Sequence, residues 1–467
     1  MTIAELAPRI QAGKLSPVEL AAETLSQIQR LNPTLNAYIT VLEAPALEAA
    51  RRAEREIRTG HYRGPLHGIP YAAKDLFYTR GVRTTAGSKI FRDFVPGHDA
   101  AAIERLREGG AVLLGKAGLH ELAYGITNDN PHFGPVRNPW DTSRIPGGSS
   151  GGSTAAQAAG MCVFSLGSDT GGSVRIPASY CGVVGLKPTF GRISRYGVFP
   201  LGHTLDHVGH FGNSVADVAT ILGALAGPDP RDDSSAAEPL PPLELPAAPK
   251  LKGFRIGVPR NFFFEGLQPD VESAVRAAIK TLQGLGAEAE EMVIPDIEDF
   301  IVISRLVLLA EASALHRHRL RTRRADIGAD VAALLDQGQF VLATDYLNAQ
   351  RRRRQFVASL NRLFDKVQVI VAPTTPITAP KIGQTTVELA GRTEDTRLAS
   401  TRLVRALNLA GVPALSLPCG FDAQGLPIGL QIFGRAFDER SVLVAAHAFE
   451  QATEWHRRRP QPAAAAL

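Results

Sequence analysis

Residues 147–191 read GGSSGGSTAAQAAGMCVFSLGSDTGGSVRIPASYCGVVGLKPTFG. Two glycine-serine loops bracket an apolar segment. The first loop, Gly147 to Ser153, runs into STAAQAAG, which predicts a helix directly behind it. A glycine-rich turn feeding a helix aims backbone N–H groups at one place. A flexible linker has the same composition, and the helix that follows is what separates the two readings. The loop also holds G-x-S-x-G twice, the spacing of a nucleophile elbow. An elbow needs a strand before it, and RNPWDTSRIP is turn-like.

The second loop follows a predicted strand, CVFSLG, and reads Ser168-Asp169-Thr170-Gly171-Gly172-Ser173-Val174-Arg175. One reading is a β-turn capped by Asp169. The other places Ser173 on a tight turn with the amides of Thr170, Gly171, Gly172 and Ser173 free to form an oxyanion hole. Losing one such donor costs hydrolases about 10²- to 10³-fold in rate. Asp169 and Arg175 are expected to brace the loop as a charge pair. Upstream, GIPYAAKDLF delivers Lys74 at the end of a short apolar run. Burial beside hydroxyls would lower its pKa and let it act as a general base. Most lysines are solvated and have no such role.

Working outward, Ser16 and Pro17 open a helix over residues 16–31, and a second helix covers 43–58. AVLLGKAG (111–118) predicts a buried strand, and residues 214–227 predict a helix closed by Gly227. Residues 227–253 are rich in Pro, Ala, Ser and Asp and predict a solvated connector. Beyond it come a strand at 254–258, a helix at 270–286 and a strand near EEMVI. A helical region over 297–365 is interrupted at Gly328 and Gly338. VQVIVAPTTP, PALSLPCG and LPIGLQIFG predict strands, SVLVAAHAFEQATEW a closing helix, and the tail 460–467 disorder. Alternating strands and helices argue for an α/β fold with one sheet covered on both faces.

The bulk properties narrow the function. The chain has 467 residues, 44% hydrophobic and 21% charged, which is ordinary globular composition. A net charge of +5 is a mild excess over this length and no nucleic-acid signature. Three well-separated cysteines, Cys162, Cys181 and Cys419, fit free thiols in a reducing cytoplasm. No signal peptide or membrane-length apolar run is read. Gly110 to Lys116 matches G-x-x-x-x-G-K, but Ala117 stands where a phosphate loop needs Ser or Thr. The basic runs at 316–324 and 351–354 read as solvated helix faces or subunit contacts.

The 147–191 block and GIPYAAKDLF together resemble the amidase signature family closely, and weaker similarity reaches GLPIGLQIFG and QATEWHRRRP. The resemblance implies one α/β domain over residues 1–467 with a large mixed sheet, and a Ser-cisSer-Lys triad. Ser173 would be the nucleophile, Ser149 the bridging residue with a cis peptide, and Lys74 the base. Ser150 would help hold Lys74, and Thr170 to Ser173 would supply the oxyanion hole. No metal or organic cofactor is implied.

The similarity includes the glutamine-hydrolysing subunit of the tRNA-dependent amidotransferase, which reads glutamine with a Tyr, an Arg and an Asp. Those positions fall near Val307, Ala333 and Thr401, so all three are lost. The expectation is therefore a cytoplasmic monomer or homodimer that hydrolyses small apolar amides, anilides, carbamates or esters. The wording SDTGGSVRIPASYCGVVGLKPTFGRIS and AGSKI also resembles hydrolases of biuret-type ureas. In ELAYGITNDN, Tyr124, Gly125 and Ile126 would line the substrate pocket, or be plain core. Two competitors stay open. One is a Ser-His-Asp hydrolase using Ser149 or Ser150 with His203 or His207. The other is an ammonia-channelling component of an amidotransferase.

Overall fold

The computed structural model describes residues 1–247 and 249–461. The expected disordered tail lies outside these residues from position 462 onward. Among the described residues thirteen strands form in chain order: β1 Tyr38–Val41, β2 Pro70–Lys74, β3 Val112–Ala117, β4 Phe164–Asp169, β5 Val184–Lys187, β6 His207–Gly212, β7 Arg255–Pro259, β8 Glu288–Met292, β9 Val369–Pro373, β10 Thr386–Leu389, β11 Arg392–Asp395, β12 Ala414–Phe421 and β13 Pro427–Gly434. Eleven of them build one mixed sheet in the order β1-β3-β2-β4-β6-β5-β12-β13-β9-β7-β8, while β10 and β11 pair as a separate hairpin.

The central strands β2, β4, β9 and β13 are buried at every residue. Continuous burial on a period-two element means that both faces are covered, as the apolar runs predict. The edges are handled differently. β8, EAEEM, is exposed at four of its five positions and carries three glutamates. Charge on an edge strand discourages pairing with another chain. The sheet is continuous across residues 227–253, since β12 pairs with β5 on one side and, through β13, with β9 and β7 on the other.

That connector holds no helix or strand among the described residues, yet its first part is not simply solvated. Asp229 and Asp232 are buried. Asp229 accepts from Ser194 Oγ at 2.8 Å, and Asp232 accepts from the Arg195 N–H at 2.6 Å. The carboxylates that made the segment look hydrophilic pin it to the loop after β5. The long helical region divides as expected, into Ile297–Thr322, Ala329–Gly338 and Ala343–Leu363. No helix among the described residues is long and apolar enough to cross a membrane.

Two features of the sheet set up a site. β2 and β4 are parallel neighbours, with Ala73 opposite Leu166. Their C-terminal ends, Lys74 and Ser168-Asp169, therefore emerge side by side. The helix Gly151–Ala158 packs against the same strands and needs glycine to do so. A Cβ on Gly152 would lie 2.4 Å from the backbone N and O of Gly118, a clash with main chain that no rotamer relieves.

Candidate active site

Lys74 is fully buried at the end of β2. Its Nζ lies 2.7 Å from Ser149 Oγ and 2.9 Å from Ser168 Oγ. Both partners are hydroxyls, which donate or accept as required, so the contacts suit an uncharged amine. No carboxylate within salt-bridge distance holds the charge in place among the described residues. Burial lowers the Lys74 pKa from 10.5 to about 7, against weaker upward pulls from Asp169 and Asp206. A second buried lysine, Lys116, is differently placed, with Asp75 at 3.4 Å and the Phe77 carbonyl at 2.7 Å.

Ser149 sits in the first glycine-serine loop behind a cis Gly148–Ser149 peptide. Its carbonyl accepts from the His120 N–H at 3.2 Å. Ser150 follows, and its N–H donates to the Ser173 carbonyl at 3.4 Å, which sets the two loops against each other. Ser150 makes no bond to Lys74. Its hydroxyl donates to the Ser168 carbonyl and accepts the Ser168 N–H, at 3.2 and 3.3 Å. Lys74 is held instead by Ser168, which the sequence reading placed at the start of the second loop with no role of its own and which lies in β4. Ser150 acts one step back, by fixing the Ser168 main chain.

The second loop is organised by Asp169 and Arg175, both fully buried. The guanidinium grips the carboxylate with two bonds of 3.0 Å, and Asn408 Nδ2 adds a third at 2.7 Å. Arg175 and its neighbours hold the Asp169 carboxyl well below the usual range despite its burial. This is the expected brace, and it does more. Asp169 also accepts the N–H of Gly172 at 2.7 Å and of Val174 at 3.1 Å. The Gly172 amide, expected in an oxyanion hole, is thus spent on the brace. Gly171 and Ser173 amides have no partner among the described residues, and the Thr170 hydroxyl is anchored on Asp206 at 2.6 Å. Gly172 adopts φ 114°, and a Cβ there would meet Val404 Cγ2 at 2.3 Å, so only glycine makes this turn.

Asp169→Ala leaves Arg175 as a buried charge with no counterion. It is expected to destabilise the fold by about 3–5 kcal/mol, with a smaller loss for Asp169→Asn. Urea unfolding midpoints measure it, and a loss under about 1 kcal/mol would show the pair is dispensable.

Ser173 lies in the wall of a small cavity together with Ala123, Tyr124, Gly125, Ile126 and Gly171. No hydrogen bond joins its hydroxyl to Ser149 or any other side chain among the described residues. The loops bring Lys74 and Ser149 into direct contact and set Ser173 against the first loop through its carbonyl, which accepts from the Ser150 N–H. Tyr124, Gly125 and Ile126 line this cavity, but Arg397, Thr401 and Arg405 do so as well, so the lining is not wholly apolar. Of the positions expected to have lost glutamine contacts, Thr401 lines the cavity, Val307 is core and Ala333 is exposed.

The histidine alternative finds no geometry. His203 is exposed, and His207 Nδ1 faces the Leu205 carbonyl at 2.7 Å. Neither is bonded to Ser149, Ser150 or Ser173. Of the basic runs, Arg353 is structural, donating to the Leu409 and Thr204 carbonyls at 2.6 and 2.9 Å.

A family model described as Amidase matches residues 19–443. The chain belongs to the amidase signature family. Among curated relatives, a glutamyl-tRNA(Gln) amidotransferase subunit from Moorella thermoacetica is 42% identical over 484 residues, covering 99% of this chain and 98% of that protein. Among solved structures, one from a vestigial protein complex, described as revealing the evolutionary origins of an s-triazine catabolic enzyme, shares 38% identity. It aligns at TM-score 0.92 over 97% of this chain and 98% of that one. The native peptide amidase of Stenotrophomonas maltophilia shares 31% identity at TM-score 0.85, over 100% and 99%. An amidase signature chain with this coverage is a hydrolase of amide C–N bonds.

Proposed function

We propose that this chain hydrolyses small linear amides or carbamates through an acyl-enzyme on Ser173, with Ser149 as proton bridge and Lys74 as base. It acts on a small molecule in the cytoplasm, as a monomer or homodimer, without a cofactor. The observation that carries the reading is the buried Lys74 amine, 2.7 Å from Ser149 Oγ and with a pKa near 7. An uncharged amine is a base, and a serine hydroxyl is its natural conduit.

In this reading Lys74 takes the Ser149 proton as Ser149 takes that of Ser173. Ser173 Oγ attacks the carbonyl carbon, and the tetrahedral oxyanion is held by the amides of Gly171 and Ser173, helped by Thr170. The proton returns through Ser149 to the leaving nitrogen, the C–N bond breaks, and water releases the acyl group by the same steps. The contact between Ser149 and Ser173 closes when substrate binds, as catalytic hydrogen bonds in free enzymes often do.

A neutral fluorophosphonate probe tests this. It is expected to label one serine, found by peptide mass mapping to be Ser173. Labelling at Ser149 or Ser150, or none at all, refutes the assignment. Membership of an amidotransferase complex is a second reading, supported by the 42% identity to the Moorella protein. It predicts negligible amidase activity until a partner chain is added.

A further inference from the structure

Two cavities meet at Tyr124. The inner one holds Ser173 and Gly171; the outer one opens past Arg305, Gln337 and Asp395. Tyr124, Leu308, Arg397 and Arg405 line both, so one passage leads from the outside to the nucleophile loop. Three arginines, Arg305, Arg397 and Arg405, converge on it.

None of the three has a carboxylate partner among the described residues, unlike Arg175 on Asp169 or Arg192 on Glu439. Arg405 donates from Nη2 to Thr401 Oγ1 at 3.0 Å, and its Nε is buried with no acceptor. Arg305 donates to Gln337 Oε1 at 3.3 Å. The Arg397 guanidinium has no hydrogen bond among the described residues. Nearby acidic groups are already engaged. Asp395 caps a helix by accepting the N–H groups of Arg397 and Leu398, both at 2.9 Å, and Asp330 pairs with His120 at 2.9 Å. Three guanidiniums facing two carboxylates, neither within ion-pair distance, leave a net positive charge that an anion would offset.

We propose that this passage binds a carboxylate on the substrate, so that the preferred substrates are small amides or carbamates carrying a carboxylate a few bonds from the scissile carbonyl. A planar guanidinium fork with free donors matches a carboxylate in shape and charge. The site is close to the chemistry: Arg405 Nε is 3.9 Å from where a Cβ on Gly171 would stand. Tyr124 supplies an apolar wall. The electrostatics agree. Burial lowers the Arg405 pKa to about 10; Tyr124 opposes this, while Arg305 and Arg397 push the same way. An anion would relieve that field. The inference rests on the reading of Ser173 as nucleophile, and it replaces the expectation of a purely apolar substrate.

The test compares succinyl mono-p-nitroanilide with its methyl ester. Wild type is expected to favour the acid by at least about tenfold in kcat/KM, and Arg405→Gln and Arg397→Gln each to shrink that ratio by about tenfold, mainly through KM. Arg397 lies on a partly exposed helix, so its variant serves if Arg405→Gln does not fold. In parallel, succinate is expected to slow fluorophosphonate labelling of Ser173 in wild type and not in Arg397→Gln. Equal or better turnover of the ester, or turnover of neither compound with labelling indifferent to succinate, overturns the carboxylate site while leaving Ser173 in place. Failure of the probe to label Ser173 overturns the underlying reading and this one with it.

Discussion

Ser173→Ala is expected to lower kcat for an activated anilide by about 10⁴-fold or more, with the folded state nearly unaffected. The two halves of that expectation have separate grounds. The rate falls because the other hydroxyl that this loop brings to the cavity wall, that of Thr170, is bound to Asp206 at 2.6 Å, which leaves Ser173 as the free hydroxyl beside the unpartnered amides of Gly171 and Ser173. Stability persists because the Ser173 side chain holds nothing in the fold. Its hydroxyl has no hydrogen-bond partner among the described residues, and the bond that joins the two loops uses its carbonyl, which alanine keeps. Unfolding therefore cannot masquerade as lost chemistry. A stricter test follows from the residues acting as one unit. Ser149→Ala alone should also cost several orders of magnitude, but Ser149→Ala combined with Ser173→Ala should be no worse than Ser173→Ala, because the proton path is already broken. Additive losses would mean that Ser149 works on its own. Circular dichroism and a denaturation midpoint supply the control.

The sequence made some of this legible and not the rest, for reasons that can be located. Lys74 was visible because a lysine ending the apolar run PYAAK has to be buried or exceptional. The two serine loops were visible because glycine density before a helix is a local signal. Ser168 was not. It was read as the first residue of the second loop with no role of its own, because its contact with Lys74 spans 94 positions through the parallel register of β2 and β4. The strand His207–Gly212, HVGHFG, was also missed, since two glycines and two histidines have little strand preference of their own. Its place in the middle of the sheet supplies the reason it is extended. Asp169 and Arg175 were read as a brace, but the capture of the Gly172 amide depends on carboxylate geometry that no pattern encodes. Arg397 and Arg405 come from two short helices, Thr396–Arg402 and Arg405–Ala410, which follow an unforeseen hairpin. Expectation of an apolar pocket failed there because the missing charges were sought at the positions where relatives carry them. Charges had instead entered the pocket from other positions.

Lys74 offers the other large effect, and here activity and stability should move in opposite directions. The base form is the uncharged amine, and the pKa near 7 places its loss within reach of experiment. Below about pH 7 the amine is protonated and kcat/KM should fall tenfold per pH unit; above it the rate should level off. The stability sign follows from linkage. The folded pKa lies below the unfolded value of 10.5, so between about pH 7 and 10.5 the unfolded chain binds more protons and stability rises with pH. Below pH 7 the full cost of burying the ammonium is in force, on the order of 5 kcal/mol for a shift of this size. Lys74→Met removes that cost together with the base. It should cut kcat/KM by about 10³-fold or more and raise the unfolding midpoint at neutral pH, a stability gain won by discarding function. Lys74→Arg keeps a permanent charge in the same dry site and should lose both activity and stability. Ser168 shares the Lys74 amine with Ser149, so Ser168→Ala leaves one hydroxyl fewer to satisfy the ammonium and should move the kinetic pKa further down. A rate profile that is flat between about pH 5 and 9, or a Lys74→Met variant that is both active and destabilised, would remove the lysine from its role as base.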